Sequence, residues 1–350
     1  MKKGFKTLSV LFILVLTVGL LAACGKAQES KTSAETKSAV RETANSSDTA
    51  AAAEADSQTD EQASDAPSDS AERTITYLDR EYTVPASAER IVITGSMEAM
   101  EDALVLDVHP VGAITYAGEF PKQFASITDN ARSIGEKTEP NFETILSLKP
   151  DVILGTTKFG DEVVSQLQKI APTILVSHIS SNWRDNLNLM GELTGRSSEA
   201  EAAIEKYDAD VEAAKTALGQ KLDGKTLLAV RIRQGAICVY PSDVFVNAAL
   251  YGDLGIEVPE LIQSTEAQQE ISVEQFAEID PDYVFVQFSG NENADTPEAL
   301  NDLENNPIIR QTAAFKEGHV FVNVIDPLSE GGPAWSRDLF MQTAAEKLSE

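Results

Sequence analysis

Cysteine is nearly absent: Cys24 and Cys238 are the two in 350 residues. A chain of this length with so few has no disulfide framework, and Cys238, set among Ala236, Ile237, Val239 and Tyr240, reads as a buried small hydrophobe. Histidine is almost as scarce. His109, His178 and His319 lie far apart at strand boundaries with no acid or nucleophile spaced to them, so they read as structural rather than catalytic. Nor is there a Gly-x-Ser-x-Gly elbow, a phosphate loop, a Gly-x-Gly-x-x-Gly fingerprint or a His/Cys pair at metal-ligand spacing. These absences make hydrolysis the weaker class of function and predict a chain that is not an enzyme. Positive charge is short as well: 28 Lys and Arg against 56 Asp and Glu give a formal charge of −28. The summed field repels nucleic acid and acidic membrane surfaces, although it leaves room for a local basic pocket.

The N-terminus carries an export signature. Lys2, Lys3 and Lys6 precede an apolar run from Leu8 to Leu21, and Leu21-Ala22-Ala23-Cys24-Gly25 follows. A charged start, an apolar run shorter than a membrane span and small residues before a Cys predict a lipoprotein signal peptide over 1–23, with acyl chains on Cys24. The mature chain is thereby expected on the outer face of the cell membrane. Residues 24–73 are Ala, Ser, Thr, Glu, Asp and Gln with almost no aromatic or branched apolar side chains. Such a segment buries too little to offset its ordering entropy, and is read as an acidic, disordered tether.

From residue 74 the pattern turns globular. A hairpin over 75–85 is followed by strands at 90–95, 111–114, 151–154 and 173–176, alternating with helices at 96–106, 142–148 and 161–170. Residues 197–220 are dense in Ala, Glu and Lys and lack Gly or Pro before Gly219, which predicts one helix about 36 Å long at 1.5 Å per residue. Beyond it come strands at 226–233, 236–240, 283–288 and 319–323, and helices at 242–251, 272–278 and from 334. The expected architecture is α/β: an N-terminal lobe over 74–196, a rigid linking helix over 197–220 and a C-terminal lobe over 221–350. An internal echo supports pseudo-symmetric lobes. Glu143 to Leu154 (ETILSLKPDVIL) matches Glu274 to Phe285 (EQFAEIDPDYVF), each with a Glu early in a short helix, then Pro-Asp, then a buried strand. Taken alone, such a Glu is a helix-dipole partner.

The run Leu227-Leu228-Ala229-Val230-Arg231-Ile232-Arg233-Gln234-Gly235 reads as a strand ending in a tight turn. Because side chains alternate faces along a strand, Arg231 and Arg233 point the same way, where a strand of an open α/β sheet meets its ligand crevice. Two guanidiniums on one face repel unless an anion lies between them. The pair is therefore either salt-bridged at the strand end or a prebuilt seat for a multiply charged anion.

Four stretches are shared with a known family: Ile93-Thr94-Gly95-Ser96-Met97-Glu98-Ala99-Met100-Glu101-Asp102, Val176 to Trp183 (VSHISSNW), Arg231-Ile232-Arg233-Gln234-Gly235, and Asp326 to Ser336 (DPLSEGGPAWS). Together they resemble the FeuA-type lipoproteins, which bind ferric complexes of bacillibactin and enterobactin for an ABC importer. The likeness runs from about residue 74 to the end.

The resemblance implies a class III substrate-binding protein, with the ligand in the cleft between the lobes. The family's basic triad maps onto Lys137, Arg231 and Arg233, with Lys158 as an outer cation and Gln234 and Trp335 as wall residues. Three cations suit a ferric tris-catecholate, a trianion whose charge lies on its outer oxygens. The iron travels inside the siderophore, so no resident cofactor and no protein ligands to metal are implied. Glu266 stands where the family pattern would place a further basic residue. The resemblance also implies that Glu143 and Glu274 dock on arginines of the membrane permease, and that the protein acts as a monomer. The competing ligands are hydroxamate or citrate-type siderophores and haem; a siderophore-processing hydrolase is the competing class.

Overall fold

The computed structural model describes residues 71–329 and 331–349. The signal peptide, Cys24 and the tether as far as residue 70 lie outside the described residues. Strands β1 (Glu72–Tyr77) and β2 (Arg80–Pro85) form the predicted hairpin, which begins two residues inside the stretch read as tether.

The N-terminal sheet has six strands: β3 (Ile91–Ile93), β4 (Gly112–Thr115), β5 (Arg132–Glu136), β6 (Glu139–Pro140), β7 (Val152–Thr156) and β8 (Thr173–Val176). Their order is β6-β5-β4-β3-β7-β8, parallel except for the β5–β6 pair. Every residue of β3, β4 and β7 is buried, as strands covered on both faces must be. The lobe's helices are α1 (Met97–Val105), α2 (Phe142–Leu148), α3 (Asp161–Gln168) and α4 (Trp183–Thr194). Ser96 caps α1 by accepting the Ala99 amide at 3.1 Å, as its residue type predicts. The long helix follows as α5 (Ser197–Leu218), ending one residue before Gly219, whose φ of 50° stops it.

The C-terminal sheet has five strands: β9 (Leu227–Arg233), β10 (Ala236–Val239), β11 (Gln269–Ile271), β12 (Tyr283–Phe288) and β13 (Val320–Val322). The order is β11-β10-β9-β12-β13, with β9, β12 and β13 parallel and β10 and β11 antiparallel. Helices α6 (Glu260–Gln263), α7 (Val273–Ile279), α8 (Ala299–Asn305) and α9 (Ala313–Glu317) surround it, and α10 (Ala334–Ser349) closes the chain. Two α/β lobes joined by one long helix are thus the architecture of the described chain. The closing helix also packs on α1, α4 and α5, so it spans the junction between the lobes.

One predicted element is corrected. In place of a helix over 242–251 the chain makes turns and then a π-helical segment, Ala248–Asp253. Asn247 donates its side-chain amide to the Tyr240 and Pro241 carbonyls at 2.9 and 3.0 Å, and Phe245 has a φ of 53°. Side-chain bonding of this kind competes with helix initiation.

The internal echo has a structural cause. In both copies the helix ends on a left-handed residue, Lys149 at φ 47° and Asp280 at φ 45°, because the Pro that follows disfavours a helical conformation there. The next Asp then anchors the neighbouring strand. Asp151 Oδ2 accepts the Glu89 and Arg90 amides at 2.9 and 2.8 Å just before β3, and Asp282 Oδ2 accepts the Thr226 amide at 2.9 Å just before β9.

Candidate ligand cleft between the lobes

Strand β9 delivers Arg231 and Arg233 to one face of its sheet. The β9–β10 hairpin turns through Gln234 and Gly235, at φ 50° and 81°; two successive positive φ values are the two-residue turn whose twist matches the strands. Both arginines reach the same carboxylate. Arg231 Nε donates to Glu292 Oε2 at 2.8 Å, and Arg233 Nε lies 3.3 Å from Glu292 Oε1. The anion between the guanidiniums is therefore Glu292. Arg231 is buried, lies over the Phe245 ring at 5.3 Å and donates Nη2 to the Pro327 carbonyl at 3.3 Å. Arg233 is 40% exposed and donates Nη1 to Gln268 Oε1 at 2.5 Å, an oxygen that also accepts the Tyr240 hydroxyl at 3.0 Å. Burial works against charge on Arg233, but the Glu292 carboxylate and the Tyr240 hydroxyl together outweigh it and raise the guanidinium above its ordinary value.

A cavity of about 470 Å³ opens beside this pair and takes its walls from both lobes. The N-terminal lobe contributes Glu98, Lys158, His178 and Trp183, and the C-terminal lobe contributes Arg233, Tyr240, Phe245, Glu266 and Gln268. A second cavity of about 650 Å³ shares Arg233 and Gln268 and is lined by Gln234 and Glu292. Lys158 Nζ is 3.9 Å from Glu98 Oε1, a carboxylate that also receives the Ser96 hydroxyl at 3.1 Å. His178 Nδ1 lies 2.8 Å from Thr157 Oγ1. The Trp183 ring packs T-shaped against Tyr207 at 5.0 Å and carries the Arg184 guanidinium over its face at 4.4 Å.

Arg233, Lys158 and Gln234 line these adjoining cavities, whereas Arg231 lines neither and faces a third of about 40 Å³ with Tyr240 and Phe245. Lys137, half-buried on the turn between β5 and β6, and Trp335, half-buried in the first turn of α10, line neither. Glu143 and Glu274 are exposed in the first turns of α2 and α7, one on each lobe. Sequence reasoning missed Glu292 and Gln268, which lie 61 and 35 residues from the arginines they touch and carry no spacing signal. Trp183, which closes one of the shared stretches, lines the cavity where Trp335 was expected. His178, read as structural, faces the cavity.

The arrangement is that of a ligand-binding protein with a charged, aromatic-walled cleft, and comparison with known proteins agrees. Residues 92–323 match the periplasmic binding protein family. The chain belongs to that family. It is 49% identical over 281 residues to the iron-uptake system-binding protein of Bacillus subtilis, covering 80% of this chain and 89% of the relative. The crystal structure of the triscatecholate siderophore binding protein FeuA from Bacillus subtilis, complexed with ferri-bacillibactin, superposes with a TM-score of 0.76 at 50% identity, covering 79% of this chain and 98% of that one. The iron(3+)-hydroxamate-binding protein FhuD of Bacillus subtilis is 26% identical over 340 residues, covering 93% of this chain and 91% of its own. Family membership alone thus spans several iron chelates. As in the class III members, two lobes and one connecting helix frame the cleft.

Proposed function

We propose that this protein is the extracytoplasmic binding component of an iron-siderophore ABC importer, and that its cargo is a ferric catecholate of the bacillibactin or enterobactin type. The observation that carries the ligand class is the Arg231–Arg233 pair, joined through Glu292, with Arg233 in the wall of a cavity lined by both lobes. A ferric tris-catecholate presents three negative charges on oxygens that accept charge-assisted hydrogen bonds, and its ring faces suit cations and aromatic walls. A neutral hydroxamate complex would offer these cations no negative charge beyond the one that Glu292 supplies. The likeness to FeuA, at about half of the aligned positions, supports the same choice.

In this reading the chelate enters the cleft, Arg231 and Arg233 hold it from the C-terminal lobe and Lys137 and Lys158 from the N-terminal lobe, and the lobes close on it by a modest rotation limited by α5. The iron is cargo, coordinated by the siderophore. Acyl chains on Cys24 hold the protein at the membrane, and Glu143 and Glu274 meet the permease. The test is tryptophan fluorescence of the detergent-solubilised full chain, titrated with ferric bacillibactin, ferric enterobactin and a ferric hydroxamate. Trp183 lines the cavity, so saturable quenching by the catecholates alone is the expected result. Preference for the hydroxamate, or no response to any of the three, would refute the ligand class.

A further inference from the structure

The geometry points to Glu292 as an internal counter-anion that occupies the seat between Arg231 and Arg233 and thereby sets which anions the site admits. The inference rests on the reading above for the identity of the cargo, while the seat itself is defined by the geometry alone.

Three observations support it. Each carboxylate oxygen of Glu292 faces one guanidinium Nε, at 2.8 and 3.3 Å, which is where a bound anion's oxygens would lie. The carboxylate is also placed by its backbone. The Gln234 amide donates to the Glu292 carbonyl at 3.1 Å, Gly235 donates to Asn293 Oδ1 at 3.0 Å, and the buried Asn293 amide bonds the Ile232 and Ser289 carbonyls at 2.8 and 2.9 Å. These bonds fasten the loop to the β9–β10 hairpin, so the charge is built in. Finally, the side chain is 21% exposed and lines the 650 Å³ cavity that shares Arg233 and Gln268 with the cleft. It can leave the seat by side-chain rotation without dislodging the loop.

The consequence is selectivity by competition. Two guanidiniums stay charged at any working pH, and one carboxylate cancels half of their charge. A small anion offers the arginines little more than Glu292 already supplies, and must displace it. A large trianion that also engages cations of the other lobe exceeds what Glu292 supplies. Glu292 is accordingly a specificity-determining residue that acts through the arginines.

Glu292→Gln tests this, since it keeps the shape and removes the charge. Titration calorimetry of the full chain with inorganic pyrophosphate should show binding tighter than wild type by about tenfold to a hundredfold, the equivalent of one charged hydrogen bond. Binding should weaken more steeply with salt than in wild type, a readout that a merely structural role would not move. The ratio of ferric enterobactin to pyrophosphate affinity should fall. Equal or weaker pyrophosphate binding in a variant with native circular dichroism would overturn the inference. If Glu292→Gln does not fold, Glu292→Asp withdraws the charge by one methylene, and the same titration decides: a gain supports the competition and wild-type affinity refutes it. Failure of the wild type to bind any ferric catecholate would remove the proposed cargo and leave the pyrophosphate comparison readable.

Discussion

Glu101 and Ser336 are 235 positions apart, yet Glu101 Oε2 accepts the Ser336 amide at 3.0 Å in a fully buried contact. The N-terminal lobe thus caps the last helix of the chain, whose first amides would otherwise be orphaned donors carrying the positive end of the helix dipole. Gly331 adds a second tie by donating its amide to Ser336 Oγ at 2.8 Å. The closing helix is thus held at its start by α1 of the N-terminal lobe.

Asp102, beside Glu101 on α1, is buried, and its carboxylate oxygens make no hydrogen bond of good geometry, the Ala334 amide being a distant donor. Burial first, then the nearby Glu101 and Glu98 charges, push its carboxyl well above the ordinary value of 3.8, against a weaker opposing pull from the Ala334 amide. A carboxyl that binds its proton more tightly when folded costs stability as pH rises above its unfolded value. Asp102→Asn should therefore raise the thermal midpoint at pH 8 and change it little at pH 3, measured by circular dichroism. A larger gain at pH 3 than at pH 8 would show that the sign is wrong.

Arg337 is the second junction contact. It is buried, donates Nε and Nη2 to Asp253 Oδ2 at 2.9 and 2.6 Å and Nη1 to the Ser180 and Gly332 carbonyls at 3.1 Å each, and lies 5.4 Å from the Trp183 ring centre. Removing one partner of a buried pair strands the other, which costs roughly 3–5 kcal/mol. Arg337→Ala should lower the urea midpoint accordingly. A loss under about 1 kcal/mol, the range of an exposed pair, would mean that solvent reaches Asp253.

Replacing both Arg231 and Arg233 with Ala removes the cations of the C-terminal lobe and leaves Glu292 facing the cavity. Each charged hydrogen bond contributes about 1.5–3 kcal/mol, so ferric catecholate affinity should fall at least a hundredfold while the fold persists. Wild-type affinity in the double variant, measured by fluorescence titration, would refute the pocket.

The exposed Glu143 and Glu274 should matter for transport and not for capture. The Glu274 backbone amide, and then the Ser272 hydroxyl, hold its carboxyl below the ordinary value, so it stays charged as the medium turns acidic. The double variant Glu143→Ala, Glu274→Ala is expected to bind the chelate normally and to lose siderophore-dependent iron uptake in cells. Undiminished uptake would exclude a docking role for the pair.

The local elements were legible in the sequence because each is fixed by neighbours along the chain. The bounds of α2, β8 and β12 follow from periodicity and punctuation alone, and α5 differs from its predicted span by two residues at Gly219. The alternation of strands and helices then implied two α/β lobes, and strand geometry placed Arg231 and Arg233 on one face. The tertiary structure decided what those arginines meet. Glu292 reaches them from a loop beyond β12, Gln268 from the approach to β11, and Trp183 rather than Trp335 from the start of α4. It also decided that the closing helix would be capped by Glu101 and that residues 242–251 would not form a helix. Such contacts depend on which surfaces the packed sheets bring together, and a charge carries no periodicity from which a distant partner can be read. The sequence by itself determined the elements and set two arginines on one face of a strand, and the packing determined that Glu292 is the carboxylate between them.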